Sequence, residues 1–560
     1  MKVSKSFNRK TVITLILAMV TSALQVLGYS FSKQNNWNLV FENGMIHSKA
    51  IAIWLLLTFI FFCLISMLFR LLEKGNVDNQ EEYRINTKDI IKITLILVVC
   101  WLPYIILMYP CSANPDVRDQ LGQVFHDSTM CWTRKYVNLS NPAVSYWNNH
   151  HPVGHTLILG FFAKLGEAIH SVRFGLFMMM LFQMILMALI FAYIICFLKE
   201  RGTSKTIKVL VIIFYAFWPL IPLTTASLCK DTLFTIFLLI ATLCIVRMFE
   251  NPQKFYRRKR NLAGIIIVFI LQGLMRNNGL YLLLLLFPIS LFFGKNARKY
   301  VCISYLIPIL FLGVVMPKGV FKIANIAPGS EKEMLSVPLQ QMARLLKEHG
   351  SQVSKKDKEI IEYVMCPGED YSVLVKRYNP RQSDPVKYSY NLNLTENDKK
   401  TFFKIWFKYL KKYPNVYIQS AMNNCYEYFY YERYGRETYY NGIQVQGQPF
   451  MGITNVSKFK NARETLVKIM DQIQKNPYIG WIVNIGFYMN LLIVLLSYCV
   501  IKKKYHLFWA YGLITFNILI SLLGPVVYMR YAYFFIVSIP LLLGLITGKE
   551  ERKVNEVYKN

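Results

Sequence analysis

Groups able to move a proton, bind an anion or orient a hydroxyl crowd into one stretch, residues 109–157. It carries Asp116, Asp119, Gln120 and Gln123, and closes with Asn149-His150-His151-Pro152-Val153-Gly154-His155-Thr156. On a helix, Asp116, Gln120 and Gln123 share one face. That face sets a carboxylate beside two amides that can orient a hydroxyl-bearing substrate. A carboxylate at a partly desolvated boundary has a raised pKa and can serve as a general base. Asp119 competes for the same role, and Asp127 and Glu167 stand further out. The plainer alternative is that Asp116 only caps a helix that starts at Pro115.

His150, His151 and His155 raise the question of a metal. An adjacent pair cannot share one helical face, no H-E-x-x-H is present, and zinc needs a further ligand. No metal and no cofactor is indicated. A helix starting near Pro152, with His151 just before it, is the plainer account. The histidines can still hydrogen-bond a carboxylate or a phosphate. Three more clusters carry cations: Lys230-Asp231, Arg276-Asn277-Asn278-Gly279 and Arg530-Tyr531. Lone cations at membrane boundaries usually snorkel. Three on the side otherwise poor in basic residues are suited to cradle a phosphate, with Arg supplying forked hydrogen bonds. No Walker loop and no dinucleotide G-x-G-x-x-G occurs.

The elements that must position these groups are apolar. Hydrophobic residues make up 54% of 560, and mean hydropathy is +0.31, more than a soluble chain of this length needs. Apolar runs near 11–30, 49–71, 89–109, 174–198, 206–224, 231–249, 263–275, 279–294, 300–318, 479–501, 506–526 and 531–548 predict about twelve spans. The net charge of +32 does not signal nucleic acid, because much of the Lys and Arg flanks these runs, as on the cytoplasmic side of a membrane protein. The first run reads as a retained helix rather than a signal peptide. The segment 153–170 reads as interfacial or re-entrant, which puts all six basic clusters on one side, with both termini cytoplasmic.

The expected fold is mainly α, a polytopic helical membrane protein with an extracytoplasmic folded domain. Its parts are an N-terminal helix pair (1–88), a membrane core with outer loop 110–152 (89–318), the outer domain (319–478) and a C-terminal three-helix segment (479–560). In the outer domain, helices are predicted over 338–349 and 401–413. The second has Phe402, Phe403, Trp406, Phe407 and Leu410 on one face. The Tyr-rich stretch 415–434 suits packing or a sugar site. Cys111 with Cys131, and Cys366 with Cys425, are pairs that oxidation could join.

An outer loop with an acidic residue, then a His-Pro motif, then many helices resembles the GT-C superfamily of membrane glycosyltransferases. The matching pieces are Asp116 and His151-Pro152. More closely, the chain resembles an uncharacterised bacterial family of polytopic membrane proteins placed near that superfamily. The residues that carry this are Asp116…Gln120…Gln123, Asn149-His150-His151-Pro152-Val153…His155-Thr156, Lys230-Asp231, Arg276-Asn277-Asn278-Gly279, Ser383-Asp384-Pro385-Val386-Lys387 and Arg530-Tyr531. The resemblance implies a GT-C-like fold in a bacterial cell membrane. It also implies transfer of a sugar from a polyprenyl-phosphate donor to a glycan, lipid or protein acceptor outside the cytoplasm. Asp116 is the expected base, and Lys230, Arg276 and Arg530 the expected phosphate contacts. A transporter or flippase for a lipid-linked or anionic solute, and a non-catalytic partner in polysaccharide assembly, are the alternatives.

Overall fold

Proline and polar residues decide where the apolar runs stop being helix. The computed structural model describes residues 2–42, 44–74, 83–431 and 453–549, so the predicted basic positions Arg552 and Lys553 and the tyrosine-rich residues 432–434 lie outside the described residues. Seven helices among the described residues are long and apolar enough to cross a membrane. They are Arg9–Gln34, Ser48–Glu73, Thr87–Leu107, Val172–Glu200, Lys230–Glu250, Lys295–Ile323 and Met529–Thr547. Together they make this a multi-pass, mainly helical membrane protein. Gly279–Phe293, Ile485–Ile501 and Gly512–Leu522 are shorter apolar helices.

Seven full-length helices stand where twelve runs were expected, and the reasons are local. The run 206–224 splits into Lys205–Phe217 and Leu220–Thr225, because Pro219 donates no N–H and holds Trp218 extended. The run 479–501 becomes helical only at Ile485, where the Asn484 side chain accepts from Phe487 N. The run 506–526 breaks between Tyr505–Ala510 and Gly512–Leu522.

The first two long helices pack together and share a hydrogen bond between Ser22 Oγ and Thr58 Oγ1 at 2.6 Å. Glu73 ties Lys10 (2.7 Å) to Lys502 (2.8 Å), which gathers the ends of three helices. Arg201 pairs with Glu250, and its carbonyl accepts from Lys549 N. Glu250 ends the helix that Lys230 begins. At 1.5 Å per residue that helix is about 30 Å long, so Lys230 stands about a bilayer's thickness from the Arg201–Glu250 pair.

Helix Val153–Ala168 follows Pro152, as predicted. It buries His155, Thr156, Leu159, Gly160 and Ala163, while Leu157, Phe161, Leu165 and, just beyond its end, Ile169 are exposed. Two hydrophobic cores form. The larger is the helical bundle; the second centres on Leu339, Met342, Leu345, Ile361, Phe402 and Tyr409. The helices predicted over 338–349 and 401–413 are Ser336–His349 and Glu396–Lys412, both in the second core. Phe402 is buried and Phe403, Trp406 and Leu410 partly so, but Phe407 is exposed.

Within the expected segment 319–478, the packing divides between the two cores. The long helix runs on to Ile323. Residues 453–475 fold back onto the bundle, where Ile453 and Met470 join the larger core. There the Asn455 amide donates to the carbonyls of Met108, Tyr109 and Cys111. Tyr417, Tyr426 and Tyr428 are buried packing residues. All eleven cysteines are free; Cys366 lies in the second core and Cys425 against the first, so neither suggested disulfide forms.

Candidate functional site

Asn114 and Pro115 start the helix that presents the acidic residues. The Asn114 side chain accepts from Val117 N, Pro115 occupies the first turn, and the helix Pro115–Phe125 ends on His126 in a left-handed conformation. The cap is therefore Asn114, and Asp116 is free to reach outward from the first turn. It does so toward two distant cations. Lys230 Nζ donates to Asp116 Oδ2 at 2.9 Å, and Arg530 Nη1 donates to the same oxygen at 3.0 Å. The three side chains are 13%, 13% and 10% exposed, so they are largely shielded without being sealed. Burial alone would raise the pKa of Asp116. Arg530, Lys230 and His151 outweigh it and hold the carboxyl well below its usual range.

Lys230 also lies 3.0 Å from His151 Nδ1. An ammonium can only donate, so Nδ1 accepts and the neutral ring carries its proton on Nε2. That nitrogen is 3.7 Å from Asp119 Oδ2. Burial, then the Lys230 charge, keep His151 well below the ordinary imidazole pKa. Asp119 is fully buried. It accepts from Thr133 N and Thr133 Oγ1, both at 2.7 Å, and from Gln123 Nε2 at 3.1 Å. Burial pushes its pKa up to about 6 despite those donors.

A second ion pair stands alongside. Arg276 Nη1 donates to Asp231 Oδ1 at 2.8 Å. The Tyr531 ring lies between the two guanidinium groups, 5.2 Å from Arg276 Cζ and 4.8 Å from Arg530 Cζ, and its hydroxyl accepts from Arg530 Nη2. Three cations, Lys230, Arg276 and Arg530, thus face two carboxylates, Asp116 and Asp231.

With this geometry in place, the comparisons with known proteins narrow the assignment. The sequence profile of DUF6020, a family of unknown function, matches residues 2–559. The chain belongs to DUF6020. Neither the curated proteins nor the solved structures contain a match.

Each remaining residue singled out by sequence has a defined place in this DUF6020 chain. Gln120 donates to Thr156 Oγ1 at 2.8 Å, and its Oε1 lies 3.1 Å from His155 Nδ1. These two residues therefore lock the acidic helix to the helix after Pro152 rather than face the cations. Gln123 accepts from Asn148 N. Asn277 Nδ2 donates to Asn149 O at 2.9 Å. His150 packs edge-on to His151, and burial lowers its pKa to about 4. Among the described residues no group of three His, Cys, Asp or Glu is arranged to hold a metal.

Three contributors escape sequence reasoning. Thr133 fixes Asp119 and accepts from Asn148 Nδ2 at 3.1 Å. Asn148 and its neighbours pair strand-like with the chain ahead of the second core, with Asn149 N to Ala327 O at 2.8 Å and Ala327 N to Trp147 O at 3.0 Å. Gly122 lets the loop close over the acidic helix, since a Cβ there would lie 2.4 Å from Cys131 N and 2.8 Å from Met130 C. Gly122→Ala must push backbone against backbone. It is expected to lower stability by about 1–3 kcal/mol and to displace Thr133 from Asp119. Thermal unfolding in detergent checks the first effect, and amide exchange at Thr133 the second.

Proposed function

We propose that this protein is a GT-C-type membrane glycosyltransferase. In this reading it moves a sugar from a polyprenyl-phosphate donor to an extracytoplasmic cell-envelope acceptor, in the cytoplasmic membrane of a bacterium. About twelve segments cross or enter the bilayer, both termini are cytoplasmic, and residues 319–478 carry the extracytoplasmic domain. The observation that carries the reading is the sharing of Asp116 by Lys230 and Arg530, which come from segments 114 and 414 residues away in sequence. Beside it stands the Asp231–Arg276 pair. The separation of this cluster from the basic Arg201 end of the bundle supports an outward-facing site.

The chemistry follows from charge. Leaving aside Asp119, whose oxygens Thr133 and Gln123 occupy, the cluster sums to +1, and a phosphodiester donor brings one negative charge. Phosphate draws Lys230 and Arg530 away from Asp116. The carboxylate then loses the two cations that depress its pKa and becomes a competent base. It takes the acceptor hydroxyl proton as the acceptor oxygen attacks the anomeric carbon. The bond from that carbon to the phosphate oxygen breaks, its electron pair passes to the phosphate, and the three cations stabilise the leaving group. Asp119 is too buried to touch substrate and acts through its charge on His151, whose Nε2 lies 3.7 Å from Asp119 Oδ2.

That role predicts a pH profile. The Asp119 pKa is raised to about 6, so ionised Asp119 gives way to the protonated form below that pH, and its negative charge 3.7 Å from His151 Nε2 is lost. Activity is expected to fall about tenfold per pH unit below pH 6, and Asp119→Asn to remove that limb. The stability effect has the opposite sign. A raised pKa stabilises the fold fully below the unfolded value of about 3.9 and is lost as pH rises through 6, whereas the depressed Asp116 stabilises at higher pH and loses its contribution on acidification.

Mass analysis of envelope glycans and lipids from cells with and without the intact chain tests the assignment. A product lacking one sugar in its absence supports transfer. An unchanged envelope, with counterflow of labelled solute in proteoliposomes, overturns it in favour of transport.

A further inference from the structure

A line of aromatic rings joins the reactive cluster to solvent. Tyr388 of the outer domain is 59% exposed. Its ring centroid is 6.0 Å from that of Tyr136, which is 5.6 Å from Trp132, which is 5.7 Å from His151. His151 is already in contact with Lys230. The line therefore starts outside, crosses the turn Trp132–Lys135 and ends beside Asp116.

Packing alone would bury such a line and satisfy its polar atoms. Here the outer ring stays in solvent, Tyr136 and Trp132 are half-buried, and Trp132 Nε1 and His150 Nδ1 have no hydrogen-bond partner. Lys332 adds a cation. It is 4% exposed, and its ammonium lies 3.2 Å from the Tyr136 ring centroid. No carboxylate lies within ion-pair distance of it among the described residues. Glu333 and Asp384 act on it from a distance, but both are ion-paired with Lys387, so an anion arriving at Lys332 would complete its direct contacts. Aromatic surfaces offer sugar C–H patches a contact, and nearby N–H groups meet hydroxyls.

We propose that this line is the acceptor channel and that the acceptor is a carbohydrate chain carrying negative charge. It lies along Tyr388, Tyr136 and Trp132, near Lys332, with its reacting hydroxyl at Asp116. The proposal rests on the glycosyltransferase reading and names the acceptor class for the same site. A lipid tail would gain nothing from the cation or the unmet N–H groups.

The test uses the full chain in lipid nanodiscs and saturation-transfer NMR with tetragalacturonate, mannose 6-phosphate and neutral cellotetraose. An anionic probe is expected to bind more tightly than cellotetraose, and the two anionic arms separate a carboxylate from a phosphate. Tyr388→Ala, at an exposed position, should weaken binding about fivefold or more. Lys332→Met should abolish the preference for charge. Asp116→Asn should still bind the probe, so loss of transfer and loss of acceptor binding are read separately. The proposal is overturned if no probe binds, if neutral and anionic probes bind alike, or if Tyr388→Ala and Tyr136→Leu variants that melt like wild type bind as wild type does. Acceptor binding along the rings with full transfer by Asp116→Asn would instead remove the catalytic reading and leave the channel standing.

Discussion

Asp116→Asn is expected to lower sugar transfer by about 10²–10⁴-fold, the usual loss when a positioned general base is removed. The amide keeps the shape of the carboxyl and can still accept from Lys230 or Arg530 through one oxygen, but it cannot take a proton. It also leaves two largely shielded cations without their counter-charge. Stability in detergent should therefore drop by about 1–3 kcal/mol, the penalty for weakening hydrogen bonds to buried charged groups. The two effects separate on donor affinity. Cations freed from a competing carboxylate should hold a polyprenyl phosphate at least as tightly as wild type does. Slow turnover with unimpaired donor binding is the expected pattern, read from single-turnover rates and equilibrium binding of the lipid phosphate. Turnover at the wild-type rate would remove Asp116 from the mechanism.

The second large effect belongs to the neighbouring pair. The Asp231 side chain is 2% exposed and its Oδ1 accepts from Arg276, while Oδ2 has no hydrogen-bond partner. Arg276→Met strands that carboxylate in a shielded place and should cost about 3–5 kcal/mol. Adding Asp231→Asn removes the stranded charge, so the double variant should recover most of the loss in thermal unfolding. Donor binding should not recover, because the phosphate still lacks one of its three cations. If the double variant is no more stable than Arg276→Met, the two side chains are not energetically coupled.

How much of this was legible in the sequence depends on what each residue's position costs. Asp116, Lys230, Arg276 and Arg530 stood out because charges at the ends of apolar runs are expensive and need a reason. The structure places Asp116, Lys230 and Arg530 within hydrogen-bonding distance. Thr133 did not stand out. It holds Asp119 from fourteen residues further along the chain, beyond the end of the acidic helix, where no periodicity connects the two. The Asn278–Asn517 hydrogen bond at 2.7 Å is equally silent in sequence, since it joins segments 239 residues apart. Span counting was limited by hydropathy, which registers apolar length but not the helix break at Trp218-Pro219 or the late start at Ile485. The packing of residues 453–475 against the bundle was hidden for a related reason. The amphipathic pattern of Lys460–Lys475 fixes that one face is buried, but not which of two cores buries it.

The strand-like pairing of Trp147 and Asn149 with Ala327 stitches the histidine loop to the segment that leads into the outer domain. Through these two hydrogen bonds a load on that segment is carried to the backbone next to His150 and His151. If the glycosyltransferase reading holds, an antibody fragment that grips the domain far from Asp116 is expected to slow sugar transfer without contacting the Asp116 cluster.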